Sequence, residues 1–134
     1  MPELPEVEIV ARRLDSALSG SEVESALAPG MNVMKTFDPP LEALVGRELT
    51  GVRRVGKMPV VEFGELALLV HLMSAGRLRA FDKRASSKDR ASRVLVRLSD
   101  GRELRLREFG TRQRAWAKLL PSGAVAEDEM VASL

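Results

Sequence analysis

Apolar residues recur at Val7, Val10, Ala11, Leu14 and Leu18, a spacing of three and four that predicts one amphipathic helix, with Gly20 placed to stop it. Residues 22–28 (EVESALA) read as a short strand ended by Pro29-Gly30. Met31–Asp38 fits a strand or a pocket lining equally, and Leu41–Val45 reads as one helical turn closed by Gly46. From Glu48 the period changes to two. Leu49–Val55 alternates, Val60, Val61 and Phe63 continue after Pro59, and Gly64-Glu65 turns into Leu66–Met73. Leu66–Leu72 is apolar almost throughout, which predicts a strand buried on both faces. Arg77–Phe81 forms a further strand after Gly76, and Arg93–Leu98 and Arg102–Arg107 flank Ser99-Asp100-Gly101, a strong hairpin signal. In the second of these, Leu104 and Leu106 face inward and Arg105 and Arg107 outward. Arg112–Leu119 gives a last strand or short helix around Trp116. Residues 82–92 have no period and read as a mobile surface loop, and 121–134 turn acidic and read as a linker. One helix followed by many short strands predicts a β-sandwich or barrel.

Composition narrows the picture. A chain of 134 residues that is 45% hydrophobic fits one domain with a real core. It has no run long enough to span a bilayer and no basic-apolar leader, so a soluble, cytoplasmic, monomeric protein is expected. The lack of Cys excludes disulfides, thiol nucleophiles and Cys-based zinc sites, and His71 alone is too little for a His-rich metal site, so no metal site is expected. The net charge of +2 conceals a segregation: residues 51–118 hold 17 Lys/Arg against 7 Asp/Glu, residues 1–50 hold 4 against 9, and residues 119–134 none against 3. A basic block between acidic flanks fits a polyanion partner, or an Arg-rich solvated sheet face.

The first eight residues, MPELPEVE, carry the densest chemistry. One reading is helix capping, since proline suits a first helical turn and carboxylates there favour the positive end of the dipole. The other needs removal of Met1, which makes Pro2 the terminus. An α-amino group titrates near neutrality, and a secondary amine attacking an aldehyde-like carbon forms an iminium. Glu3 and Glu6 are then close enough in sequence to shuttle protons.

That opening resembles the start of the formamidopyrimidine-DNA glycosylase/endonuclease VIII family of base-excision repair enzymes. The resemblance continues in order through Arg53-Arg54-Val55-Gly56-Lys57, His71-Leu72-Met73-Ser74-Ala75-Gly76-Arg77-Leu78 and Arg107-Glu108-Phe109-Gly110-Thr111. It implies a mainly β fold: a two-sheet antiparallel β-sandwich, or pseudobarrel, with an N-terminal α-helix and one or two short helices. It also implies a glycosylase with AP-lyase activity on double-stranded DNA containing damaged bases or abasic sites. In that family the terminal proline amine attacks C1′, the base leaves, the sugar is held as an imine, and the strand is cut by β,δ-elimination. By resemblance Pro2 is the nucleophile, Glu3 the acid/base at the sugar, Glu6 a supporting carboxylate, Lys57 a phosphate-holding lysine on a hairpin turn and His71 another phosphate contact. Arg107 and Phe109 are similar to the wedges that fill the hole left by a flipped base.

Two departures qualify the match. Relatives read His-Leu-Gly-Met-Ser-Gly-Arg where this chain has His-Leu-Met-Ser-Ala-Gly-Arg, so Met73 sits one place early and Ser74 takes the void-filling position. On a strand that shift turns a side chain to the other face, leaving Met73 and Ser74 as alternatives. Glu108 stands where relatives often have a second Arg, removing a positive charge near the DNA face. The resemblance makes residues 1–120 the catalytic β-sandwich domain and 121–134 an acidic linker towards an absent helix–two-turns–helix domain, hence a truncated N-terminal domain. No cofactor is expected in this chain, since the family's zinc finger lies in that later part. A non-enzymatic DNA-damage binding module with a blocked terminus is the alternative. A proline-based tautomerase is a more distant one, leaving the basic segment without a purpose.

Overall fold

The computed structural model describes residues 2–134, and the expected removal of Met1 concerns a residue outside that range. Helix α1 (Leu4–Leu18) starts three residues earlier than the apolar spacing marks, because Pro5 suits a first turn and Glu6 favours its positive end. It buries Val7, Ala11, Leu14 and Leu18, one face at helical spacing. Each of the larger three contributes about 1.5–3 kcal/mol of apolar burial.

Eight strands follow: β1 (Val23–Leu27), β2 (Gly51–Val55), β3 (Met58–Phe63), β4 (Leu66–His71), β5 (Arg77–Phe81), β6 (Ser92–Leu98), β7 (Glu103–Arg107) and β8 (Trp116–Pro121). They form two antiparallel four-stranded sheets, ordered β1-β6-β7-β5 and β2-β3-β4-β8. The expected two-sheet sandwich is the observed fold. Leu68 and Val70 from one sheet meet Leu78, Val94, Val96, Leu104 and Leu106 from the other in the main core. Leu41–Leu44 is the expected helical turn, of 3-10 type.

Strand β4 is buried along its whole length, as its unbroken apolar run predicts. Alternation explains it: Leu66, Leu68 and Val70 enter the main core, while Ala67 and Leu69 enter a second cluster with Met58, Val60 and Val125. Val125 belongs to the segment read as an acidic linker. That segment forms a 3-10 turn (Ser122–Glu127) and a short helix, α2 (Glu129–Ala132), which cover the outer face of the second sheet. Lys118 pairs with Asp128 at 2.8 Å, and Leu134 rests against the Gly56 turn.

Residues 82–92 are a loop but are held down rather than loose. Ala85 N–H donates to Glu103, Arg105 donates to the Lys83 carbonyl and Arg97 to the Ala85 carbonyl. Glu103 is fully buried beneath this loop and binds Arg97 and Arg105 at 3.0 and 2.7 Å. Arg105 therefore points outward as alternation requires, yet is 7% exposed. Among the described residues no helix is long and apolar enough to cross a membrane.

Candidate active site and nucleic-acid interface

Helix α1 places Glu3 at its N-cap in extended conformation, with the Glu3 carbonyl accepting from Val7 N–H at 3.1 Å and the carboxylate left free of any capping bond. The β2–β3 hairpin brings its turn to the same place. Val55 pairs with Met58, so Gly56 and Lys57 are the two turn residues, and the positive φ of 60° falls at the first of them. That geometry favours glycine and throws Lys57 out of the sheet. The Lys57 ammonium lies 3.7 Å from the Glu3 carboxylate. Pro2 is buried and, with Glu6, Val7 and Val10 of α1 and Leu72 and Arg77 of the His71–Leu78 block, lines a cavity of about 80 Å³. The four residues assigned to chemistry, Pro2, Glu3, Glu6 and Lys57, thus meet at one end of the sandwich. An amine beside carboxylates and a lysine suits nucleophilic attack with proton transfer and anion holding.

His71 ends β4 and is buried, its ring stacked on Trp116 with centroids 5.2 Å apart. Its Nδ1 accepts from Met73 N–H at 3.1 Å, so the neutral ring carries its proton on Nε2. Burial pushes its pKa below the ordinary value, since desolvation disfavours the charged ring. This ring offers a single N–H donor.

The stretch after His71 is a turn, not a strand, so the face-flipping argument for Met73 and Ser74 does not apply. Gly76 N–H donates to the Leu72 carbonyl, closing a loop so tight that a Cβ at Gly76 would lie 2.5 Å from that oxygen. Met73 takes a left-handed φ of 53° and is half-buried, whereas Ser74 is exposed at the loop tip. Glu108 also departs from expectation. It is 1% exposed, accepts from Ala115 N–H with both oxygens and lies 3.6 Å from the equally buried Arg93. Its charge is turned into the protein and compensates Arg93, so it does not subtract from the outer face.

That outer face is built from strands β5 and β7. Arg77 and Arg79 project from β5 on either side of the core residue Leu78. They stand directly across from Arg107 and Arg105 of β7. Arg105 is already compensated by Glu103, so the unrelieved like-charge pair is Arg77 with Arg107, which an anion would relieve. The Arg107 guanidinium lies over the Phe109 ring, 4.6 Å from its centroid, and 5.4 Å from that of Phe81. Phe109 itself is 65% exposed, an unusual cost for an aromatic. Arg77, Arg79, Phe81, Arg107 and Phe109 line an open basin of about 360 Å³, and Arg77 and Arg79 also border the Pro2 cavity. The two sites are one surface. The R-L-R alternation at 77–79 is the signal that marks it.

Among the described residues, no group of three or more His, Asp or Glu converges in a way that could hold a metal.

The family model described as the formamidopyrimidine-DNA glycosylase N-terminal domain matches residues 1–113. The formamidopyrimidine-DNA glycosylase of Listeria monocytogenes serotype 4b is 33% identical over 116 residues, covering 83% of this chain and 42% of that protein. The Exiguobacterium sibiricum protein of the same name is 34% identical, with 96% and 49% covered, and that of Neisseria meningitidis 36%, with 81% and 41%. Among solved structures, the Lactococcus lactis enzyme non-covalently bound to AP-site DNA superposes with a TM-score of 0.81 at 26% identity, covering 94% of this chain and 48% of the other. The chain spans about half the length of the curated relatives it matches.

Proposed function

This chain belongs to the formamidopyrimidine-DNA glycosylase family through its N-terminal domain, and from that we propose that it is the catalytic part of a base-excision-repair glycosylase with AP-lyase activity. The observation that carries the reading is the convergence of Pro2, Glu3 and Lys57, with Glu3 and Lys57 3.7 Å apart. With Met1 removed, the Pro2 nitrogen attacks C1′ of a damaged nucleotide and the bond from C1′ to the base breaks. The amine's N–H proton goes to the departing base, and Glu3 protonates the sugar ring oxygen as its bond to C1′ breaks, which opens the ring and leaves an iminium on Pro2. Loss of a C2′ proton then expels the 3′ phosphate, and a second elimination expels the 5′ phosphate. Lys57 and the His71 Nε2–H hold phosphates beside the reacting sugar, and Glu6 supports Pro2 from the cavity wall.

The partner is double-stranded DNA, for which the basin of Arg77, Arg79 and Arg107 supplies phosphate contacts. Phe109 and Arg107 fill the space of the flipped nucleotide, with Ser74 and Met73 on the neighbouring turn. Residues 1–120 carry this chemistry, and 121–134 lead on towards the part of the protein that grips the other side of the duplex.

Borohydride trapping on abasic-site DNA tests the proposal. The full natural protein is expected to give a covalent adduct that Pro2→Gly and an uncleaved Met1 form abolish. A Pro2→Gly protein that traps as well as the parent would sink the mechanism.

A further inference from the structure

Two carboxylates two turns apart on α1, Glu8 and Asp15, face the edge strand β2. Asp15 accepts from Val52 N–H at 2.8 Å, which satisfies a strand-edge donor. Glu8 does something different. Its Oε1 accepts from Arg54 Nε at 2.7 Å, and Arg54 Nη1 donates in turn to the Gly56 carbonyl at 3.3 Å. Gly56 is the first residue of the turn that carries Lys57. A single guanidinium therefore connects the helix that mounts Pro2 and Glu3 to the turn that presents Lys57.

The type of side chain fits that task. A guanidinium offers several donors in a fixed planar fork, so it holds two acceptors at a set separation, as a lysine does not. Arg12 holds the other Glu8 oxygen at 2.8 Å. Hydrogen bonds from Arg12 and then Arg54 keep the Glu8 carboxyl below its usual range, so it stays charged at any pH where the amine is active. A partly exposed ion pair adds little to stability, so a role in global folding is a weak account of it.

We infer that Glu8 and Arg54 are positioning residues that set the reach of Lys57 toward Glu3 and the Pro2 amine. The inference rests on the imine chemistry proposed above.

The test is single-turnover borohydride trapping on abasic-site DNA with the full natural protein, alongside DNA affinity. Glu8→Gln and Arg54→Met are each expected to slow trapping about tenfold, since small misplacements of a catalytic group cost up to about a hundredfold. Affinity is expected to stay within about twofold of the parent, because no phosphate contact is removed. Arg54→Lys keeps the charge on Glu8 and is expected to recover part of the rate. Arg12→Ala, which leaves the strap intact, is expected to trap like the parent. The decisive arm uses a Lys57→Ala background: there Arg54→Met is expected to add no further loss. Rates that multiply in that background, or parent-like trapping by both single variants, would overturn the inference while leaving the imine mechanism standing. A parent protein that never traps takes down both.

Discussion

Arg79 and Arg105 face each other across the β5–β7 ladder, yet Arg79 is exposed and Arg105 is buried. The difference is an anion. Arg105 and its neighbour Arg97 share the buried carboxylate of Glu103, and the loop 82–92 closes over all three. Arg79 and Arg77 have no carboxylate within pairing distance among the described residues. The six arginines of strands β5, β6 and β7 thus form two populations. Arg93, Arg97 and Arg105 are matched internally and shape the protein, while Arg77, Arg79 and Arg107 present unmatched charge on one face. Net charge along the sequence counts both alike, yet only the second leaves its charge without a carboxylate partner among the described residues.

The sharpest way to break this contrast is to remove the internal anion. Glu103→Ala leaves Arg97 and Arg105 buried without a partner and is expected to lower unfolding free energy by about 3–5 kcal/mol. Urea denaturation measures it, and a loss within the range of a surface substitution would mean that the buried network is not what holds the loop. A change on the exposed side should do the reverse. Arg79→Ala is expected to leave stability within about 0.5 kcal/mol, while the slope of log affinity for duplex DNA against log salt shrinks by about 0.9. An unchanged slope would remove Arg79 from the interface.

The smallest effect concerns His71, which belongs to neither population. Its pKa is lowered by burial in the folded chain, so between that value and the ordinary one the unfolded chain binds the extra proton. Its contribution is therefore fully present above about pH 6.5 and is lost as pH falls below it. Stability against pH should decline there more shallowly than the one-proton limit, and His71→Gln should remove that part of the decline. Stability that rises on acidification through this window would contradict the assignment.

Local pattern made much of the fold legible. The α1 stripe, the Asp100-Gly101 hairpin and the unbroken apolar run of β4 each state their structure in consecutive residues. What escaped was set by partners far away in the chain. Glu108 reads as a surface carboxylate next to Phe109, and only the fold supplies Arg93 and the Ala115 N–H that turn it inward. Residues 121–134 look like solvent-loving linker because three acids sit in them, yet Val125 supplies the cover that β4 demanded. The two observations were complementary, since a strand apolar on both faces requires a second layer from somewhere. For the site, the resemblance gathers Pro2, Glu3 and Lys57 and includes Arg77 without a role, while Arg79 lies outside its blocks. Their significance lies in being opposite Arg107 and Arg105, which is a matter of register.

The contact of Leu134 with the Gly56 turn has a practical side for handling the protein. Any residue that follows Leu134, native or added, begins its path beside the Gly56-Lys57 turn, and any residue ahead of Pro2 turns its nitrogen into an amide. Purification handles are better inserted into an exposed turn such as Ser99-Asp100-Gly101, where neither the nitrogen nor the lysine is crowded.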